Sequence, residues 1–332
     1  MSIISISNKT GIPKYKQIIT SIEDAIINGN LKNGDKIPSI NAIKNRHKLS
    51  RDTVLYAYNE LKIRGIISSI VGKGYYVLSE DVTTTNKIFL LFDEFNSFKE
   101  DLYNAFIENL GENIQVDIFF HHFNFKVFNK LISDNIGNYS HYVIMPANLR
   151  NTHKSLKNLS EDRVYILDQT HKELSGYTAI FQNFEKDMYT NLSKAIHLIK
   201  NYKKIVLLFS KEKQPEGMLK GFTMFSKENN VAYEVIDTLQ NRVLNKSEVY
   251  IIPDDKNLLR IIKKLKQSQL ALAKDIGIIS YNETLLKEIV EGGITTISTD
   301  FSEMGKHLAK LIFNKEKLQI ENTNNLILRN SL

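Results

Sequence analysis

Between Leu49 and Gly65 the apolar positions recur at helical spacing. Val54, Ala57, Tyr58 and Leu61 fall at i, i+3, i+4 and i+7, which makes one stripe to be buried. The opposite positions, Arg51, Asp52, Leu55, Tyr56, Asn59 and Lys62, are mostly polar, and the polar residues crowd the first turn. Ser50 predicts the N-cap, since its hydroxyl can accept from a first-turn N–H, and Gly65 predicts the stop. Two short β-prone runs follow, 66–71 and 75–78, joined by Gly72-Lys73-Gly74, and they predict a hairpin with a cationic tip. Upstream, Tyr15, Ile18, Ile19, Ile22, Ala25 and Ile26 predict a first helix opened by Pro13 and ended by Asn28-Gly29. A turn at Gly34-Asp35-Lys36, a small strand at Ile37 paired with the hairpin, and a second helix over 39–47 capped by Ser39 complete the pattern. The order reads as a winged helix-turn-helix over residues 1–78.

The stretch 79–87 is polar, carries a threonine run and has no apolar period, so it reads as a linker. Beyond it, apolar runs alternate with amphipathic ones. Strands are predicted at 87–92, 114–120, 141–145, 163–167, 204–209, 232–236, 248–252, 276–280 and 294–298. Helices are predicted at 98–110, 125–134, 184–200, 216–229, 256–267, 283–291 and 301–314. Such alternation indicates α/β architecture with doubly wound parallel sheets. Two clusters of units, joined near 181–184, predict two similar subdomains within 88–332 and a cleft between them. In such sheets ligands bind at the carboxyl ends of the strands.

Composition sharpens the picture through charge. Residues 1–80 hold twelve Lys/Arg against six Asp/Glu, which is +6 of the net +7 of the 332-residue chain. A polyanionic partner for the N-terminal region alone accounts for that asymmetry. The chain has no cysteine, which removes disulfides, thiolate metal sites and cysteine nucleophiles. No apolar run approaches the ~20 residues of a membrane helix and no signal-like segment precedes Lys9, so a cytoplasmic protein without a membrane partner is expected.

Several motifs agree in order over about 65 residues. They are Pro13-Lys14-Tyr15-Lys16-Gln17-Ile18, Gly34-Asp35-Lys36-Ile37-Pro38-Ser39, Leu49-Ser50-Arg51-Asp52-Thr53-Val54, Leu61-Lys62-Ile63-Arg64-Gly65 and Gly72-Lys73-Gly74-Tyr75-Tyr76-Val77. This stretch resembles the DNA-binding domain of the GntR family. From the residues themselves, Arg51 is the best base-reading candidate, because a guanidinium pairs bidentately with guanine. Asp52 either accepts from cytosine or orients Arg51. Lys44, Arg46, His47 and Lys48 form a basic run suited to positioning on phosphates. The resemblance implies Ser39, Ser50, Arg51, Thr53 and Gly72 as contacts. It also shows departures, since many members carry arginine at the places of Asn41 and Leu55. The expected DNA surface is Ser39, Asn41, Lys44, Arg46, Lys48, Ser50, Arg51, Asp52, Thr53, Tyr56, Gly72 and Lys73.

The region from 88 on resembles the periplasmic-binding-protein-like effector domain of LacI-type regulators. The resemblance rests on the order of Tyr142–Pro146, Val164–Asp168, His197-Leu198-Ile199, Lys220-Gly221-Phe222, Ile276–Glu283, Ile294–Ile297 and Met304-Gly305. Polar and aromatic residues just after strands are the ligand candidates, and the expected set is Asp93, Glu94, Phe95, Phe98, Asn148, Gln182, Asn183, Glu216, Asp254, Asp255 and Asn282. Capping, core packing or plain solvation competes at each. Glu216 stands where the family places a ligand-clamping arginine, and that reversal argues for a neutral, hydroxyl-rich ligand. Family members usually carry aspartate at the Asn282 place. His121-His122 makes a poor metal pair, since adjacent strand residues point to opposite faces.

The expectation is a homodimeric, operator-binding regulator, a repressor by resemblance, sensing a neutral sugar or sugar-like metabolite and using no cofactor. Two alternatives stand beside it: the same head fused to an aminotransferase-like enzyme, and a pure sugar-binding module. Roughly 245 residues are too few for the first. The basic head opposes the second.

Overall fold

The computed structural model describes residues 3–7, 12–82, 86–111, 114–136, 138–314 and 316–332. The expected linker's 83–85 lie outside the described residues. The head contains α1 (Lys14–Ile27), α2 (Ile40–His47), α3 (Arg51–Ile63), β1 (Ile67–Ile70) and β2 (Gly74–Val77). Both caps form as local chemistry dictates: Ser39 Oγ accepts from the Ala42 amide and Ser50 Oγ from the Thr53 amide, each at 3.1 Å. The stripe Val54, Ala57, Tyr58 and Leu61 is fully buried against Ile18, Ile22, Ile43 and Val77. Gly65 turns the chain out of α3 at φ +70. The small strand at Ile37 contracts to one bridge, Lys36 with Tyr76, while the Ile37 amide donates to Tyr75 O at 3.0 Å.

The body opens with β3 (Asn86–Phe92), α4 (Ser97–Glu108), β4 (Ile114–Phe120), α5 (Phe125–Asn135), β5 (His141–Ile144), α6 (Thr152–Leu156), β6 (Val164–Asp168) and β7 (Thr178–Phe181). It continues with α7 (Phe184–Lys194), α8 (Ile196–Ile199), β8 (Lys204–Leu208), α9 (Glu216–Glu228), β9 (Tyr233–Ile236), β10 (Glu248–Ile252) and α10 (Asp255–Gln267). It closes with β11 (Ile276–Tyr281), α11 (Leu285–Ile289), β12 (Thr295–Thr299), α12 (Phe301–Asn314), β13 (Gln319–Glu321) and β14 (Asn324–Ile327). Two six-stranded sheets result, in the orders β13-β7-β6-β5-β3-β4 and β14-β12-β11-β10-β8-β9. Every described pairing in them is parallel except β12 with β14.

The chain changes sheets three times, which corrects the single hand-over expected near 181–184. It crosses at Gln182-Asn183, at Asp300 and at Asn322-Thr323, because α12 and β13 return to the first sheet. Packing explains the return: Phe301, Met304, Leu308 and Ile312 on α12 complete the core around Leu102 and Phe106 of α4. Gly305 permits the approach, since a Cβ there would lie 2.4 Å from the Leu102 carbonyl oxygen. Gly221 does the same for α9 on α7, 2.2 Å from Glu185 O. Two predicted helices are also shorter in the structure. The stretch 184–200 divides into α7 and α8, and 283–291 reduces to α11 followed by a 3-10 turn over Val290–Gly292.

Candidate nucleic-acid interface and ligand cleft

The expected DNA-contact residues lie along α2 and its turn into α3, on the first half of α3, and at the hairpin tip. Ser39 and Ser50 sit at the caps, and Ser50 Oγ lies 2.7 Å from Thr53 Oγ1. Asn41, Lys44, Arg46, Lys48, Arg51, Asp52 and Lys73 are exposed. Lys44, Lys48, Arg51 and Lys73 form no ion pair among the described residues, so their charge is unspent. Lys48 adopts the left-handed conformation that turns α2 into α3. Tyr56 is half exposed and meets Tyr15 edge-on, with centroids 4.7 Å apart. Gly72 bends the hairpin tip at φ +74. Asp52 lies in the first turn of α3, where a carboxylate also complements the helix dipole.

In the body, segments that follow the carboxyl ends of β3, β5 and β8 come together where the one after β8 reaches across to the first sheet. Asn148 Nδ2 donates to Gln214 O at 2.7 Å, and Lys213 Nζ lies 3.3 Å from Glu94 Oε2 and 5.5 Å from the Phe123 ring centroid. Asp93 is buried in an ion pair with the equally buried Lys99. Phe95 is exposed, whereas Phe98 packs on Phe301 at 4.7 Å and joins the core around α12. Gln182 donates to Asp168 Oδ1 and accepts from Thr299 Oγ1 at 2.6 Å. Asn183 caps α7, Asp254 caps α10, and Asp255 pairs with buried Lys287 at 2.9 Å. Glu216 opens α9 in solvent, 3.6 Å from Lys220. Asn282 follows β11 at φ 60, its Oδ1 buried and without a hydrogen-bond partner.

Residues 14–77 match the family described as bacterial regulatory proteins, gntR family. The head is a gntR-type domain. The HTH-type transcriptional repressor YtrA of Bacillus subtilis is 37% identical over 82 residues, covering 25% of this chain and 62% of that protein. The arabinose metabolism transcriptional repressor of Geobacillus stearothermophilus is 41% identical over 66 residues, covering 20% of this chain and 18% of that protein. The chain thus spans less than two thirds of the length of these relatives. A LacI-family transcriptional regulator from Enterococcus faecium, solved with bound ribose, superposes with a TM-score of 0.60 at 17% identity. It covers 74% of this chain and 98% of that one. At that identity the likeness shows the fold alone: beyond its gntR-type head the chain has the fold of that LacI-family regulator.

Beside the gntR-type head's surface, the body brings forward side chains absent from the expected set: Lys99, His121, Asp168, Lys213 and Thr299. Asp168 ends a wholly buried strand in a left-handed conformation (φ 72), and backbone so held concentrates at ligand sites. Burial raises its pKa against the pull of Lys99. Burial also lowers Lys99 to about 8 and His121 to about 4, so His121 is neutral at pH 7. His121 Nε2 bonds Met145 O at 2.9 Å. Asp93 is thus paired with the buried Lys99 ammonium, whose charge also acts on Asp168. No cluster of three metal-ligating side chains occurs among the described residues. Where the chain changes sheets, small polar groups hold it: Asn324 donates to Thr299 Oγ1 at 3.0 Å, Asn322 to Asp300 O at 2.8 Å, and Asn191 to Asn324 Oδ1 at 2.8 Å.

Proposed function

We propose that this chain is a ligand-responsive transcription regulator, a repressor that binds operator DNA as a homodimer and senses a neutral sugar in the body's cleft. One observation carries the reading: the capped amino end of α3 presents Arg51 exposed and unpaired, within a gntR-type head that holds nearly all the chain's excess positive charge. A dimer supplies the half-site spacing that such a head needs. The names of the relatives, repressors of which one belongs to arabinose metabolism, support both the sign and the class of effector. The LacI-family neighbour with bound ribose supports the cleft as the sensing site. Within it, Glu94, Phe95, Asn148, Asp168, Gln182, Asp254 and Asn282 offer hydroxyl acceptors, donors and a stacking face, and the carboxylates disfavour an anionic sugar. This reading assigns no catalysis and places the protein in the cytoplasm.

The decisive experiment selects duplexes from a random pool with the purified chain and screens monosaccharides, sugar phosphates and sugar acids by thermal shift. Recovery of a palindromic site, and stabilisation by one neutral sugar, are expected. Failure to enrich any duplex overturns the DNA reading. Stabilisation by sugar phosphates or acids alone overturns the neutral-sugar assignment.

A further inference from the structure

The amino end of α3 is the DNA-reading end, but its other half is held by the body. Glu60, in the last turn of α3, accepts from Arg163 Nη2 at 2.9 Å, with both side chains about three-quarters buried. Arg163 immediately precedes β6, a strand buried at all five positions and paired on one side with β5 and on the other with β7. The sheet fixes its backbone. The same strand ends in Asp168, so one rigid element has the proposed ligand site at one end and the contact to α3 at the other. Beside the ion pair lies a cavity of about 420 Å³, lined among others by Glu60, Ile88, Arg163, Tyr165 and Phe313.

We propose that Arg163 is a positioning residue for DNA recognition: its ion pair with Glu60 sets the orientation of α3 relative to the body. This rests on the DNA-binding reading of the head. A partly exposed ion pair adds little to global stability. Beside a cavity, where few side chains compete, it has a disproportionate effect on angle. Preformed orientation of the two heads in a dimer lowers the ordering cost of binding a two-site operator, so its loss weakens binding.

The absence of cysteine allows a clean test, because two introduced thiols are the only labelling sites. Spin labels at N30C on the head and K154C on the body, both exposed positions, report head–body distance in the full chain by double electron–electron resonance. A narrow distribution is expected in the parent, a broad one with Arg163→Ala, and a narrow one again with the swapped pair E60R/R163E. Unlabelled protein, with its thermal midpoint recorded, is titrated with duplexes selected from the random pool. Arg163→Ala should weaken binding about fivefold, the equivalent of about 1 kcal/mol, and the swap should restore it. Identical distributions in all three proteins overturn the proposal. So does a broadened distribution with unchanged or tighter DNA binding. If the parent enriches no duplex, the DNA reading falls and positioning for DNA falls with it; the label distances then separately decide whether the pair orients the head.

Discussion

Arg51 stands in the first turn of α3 with no ion pair among the described residues, so its guanidinium is free for a base edge. Arg51→Ala should lose roughly 1–3 kcal/mol of specific affinity and relax discrimination at one operator position, read by competition binding. Lys73, at the hairpin tip, has no such geometry for a base. Lys73→Ala should weaken all duplexes alike and flatten the salt slope by about one unit. In the body, Asp187 is buried beside Glu321, and these two effects, burial first, raise its pKa to about 7. A carboxyl whose folded pKa exceeds its unfolded value stabilises the fold below the unfolded pKa. That stability is lost as pH rises through the folded pKa. Asp187→Asn should therefore raise the thermal midpoint at pH 8, raise it less at pH 5, and leave it nearly unchanged below about pH 4. The residues legible in the sequence were those whose partners are local: Ser39 and Ser50 cap helices three residues away. Lys99 and Asp168 were not, because their roles depend on partners that only the folded sheet brings near.

At the scale of elements, long apolar stripes were readable, and so were short strands with an apolar or hairpin pattern of their own, such as β1, β2, β5 and β9. Helices α3, α9 and α12 carry three or four turns of apolar stripe, and their limits lie within a residue or two of those expected. Strands β7, β13 and β14 are three or four residues long and take their identity from neighbours in the sheet, which no local pattern encodes. Glycines 221 and 305 were visible as motif positions, but their reason is the contact between helices. Gly305→Ala must push α12 away from the Leu102 carbonyl. We expect a loss of about 1–3 kcal/mol in denaturant unfolding, as for an overfilled core. An unchanged midpoint would mean that α12 shifts without cost.

For the whole molecule, the proposed regulator is a coupling between two sites, and coupling is reciprocal. Whatever factor the sugar imposes on operator affinity, the selected duplex must impose on sugar affinity, and isothermal titration of both orders checks the equality. At 100 times its Kd the sugar should also stabilise the chain by roughly 2.7 kcal/mol. The return of α12 and β13 to the first sheet has a separate consequence, in the order of synthesis. The face of α4 waits for a helix roughly 200 residues further on, which at ~5–20 residues per second is a delay of roughly 10–40 s. During that time the head can already have folded, while Leu102 and Phe106 remain uncovered on the ribosome. The newborn body thus keeps an apolar face open until α12 emerges, and a premature stop after β12 would leave that face without its cover.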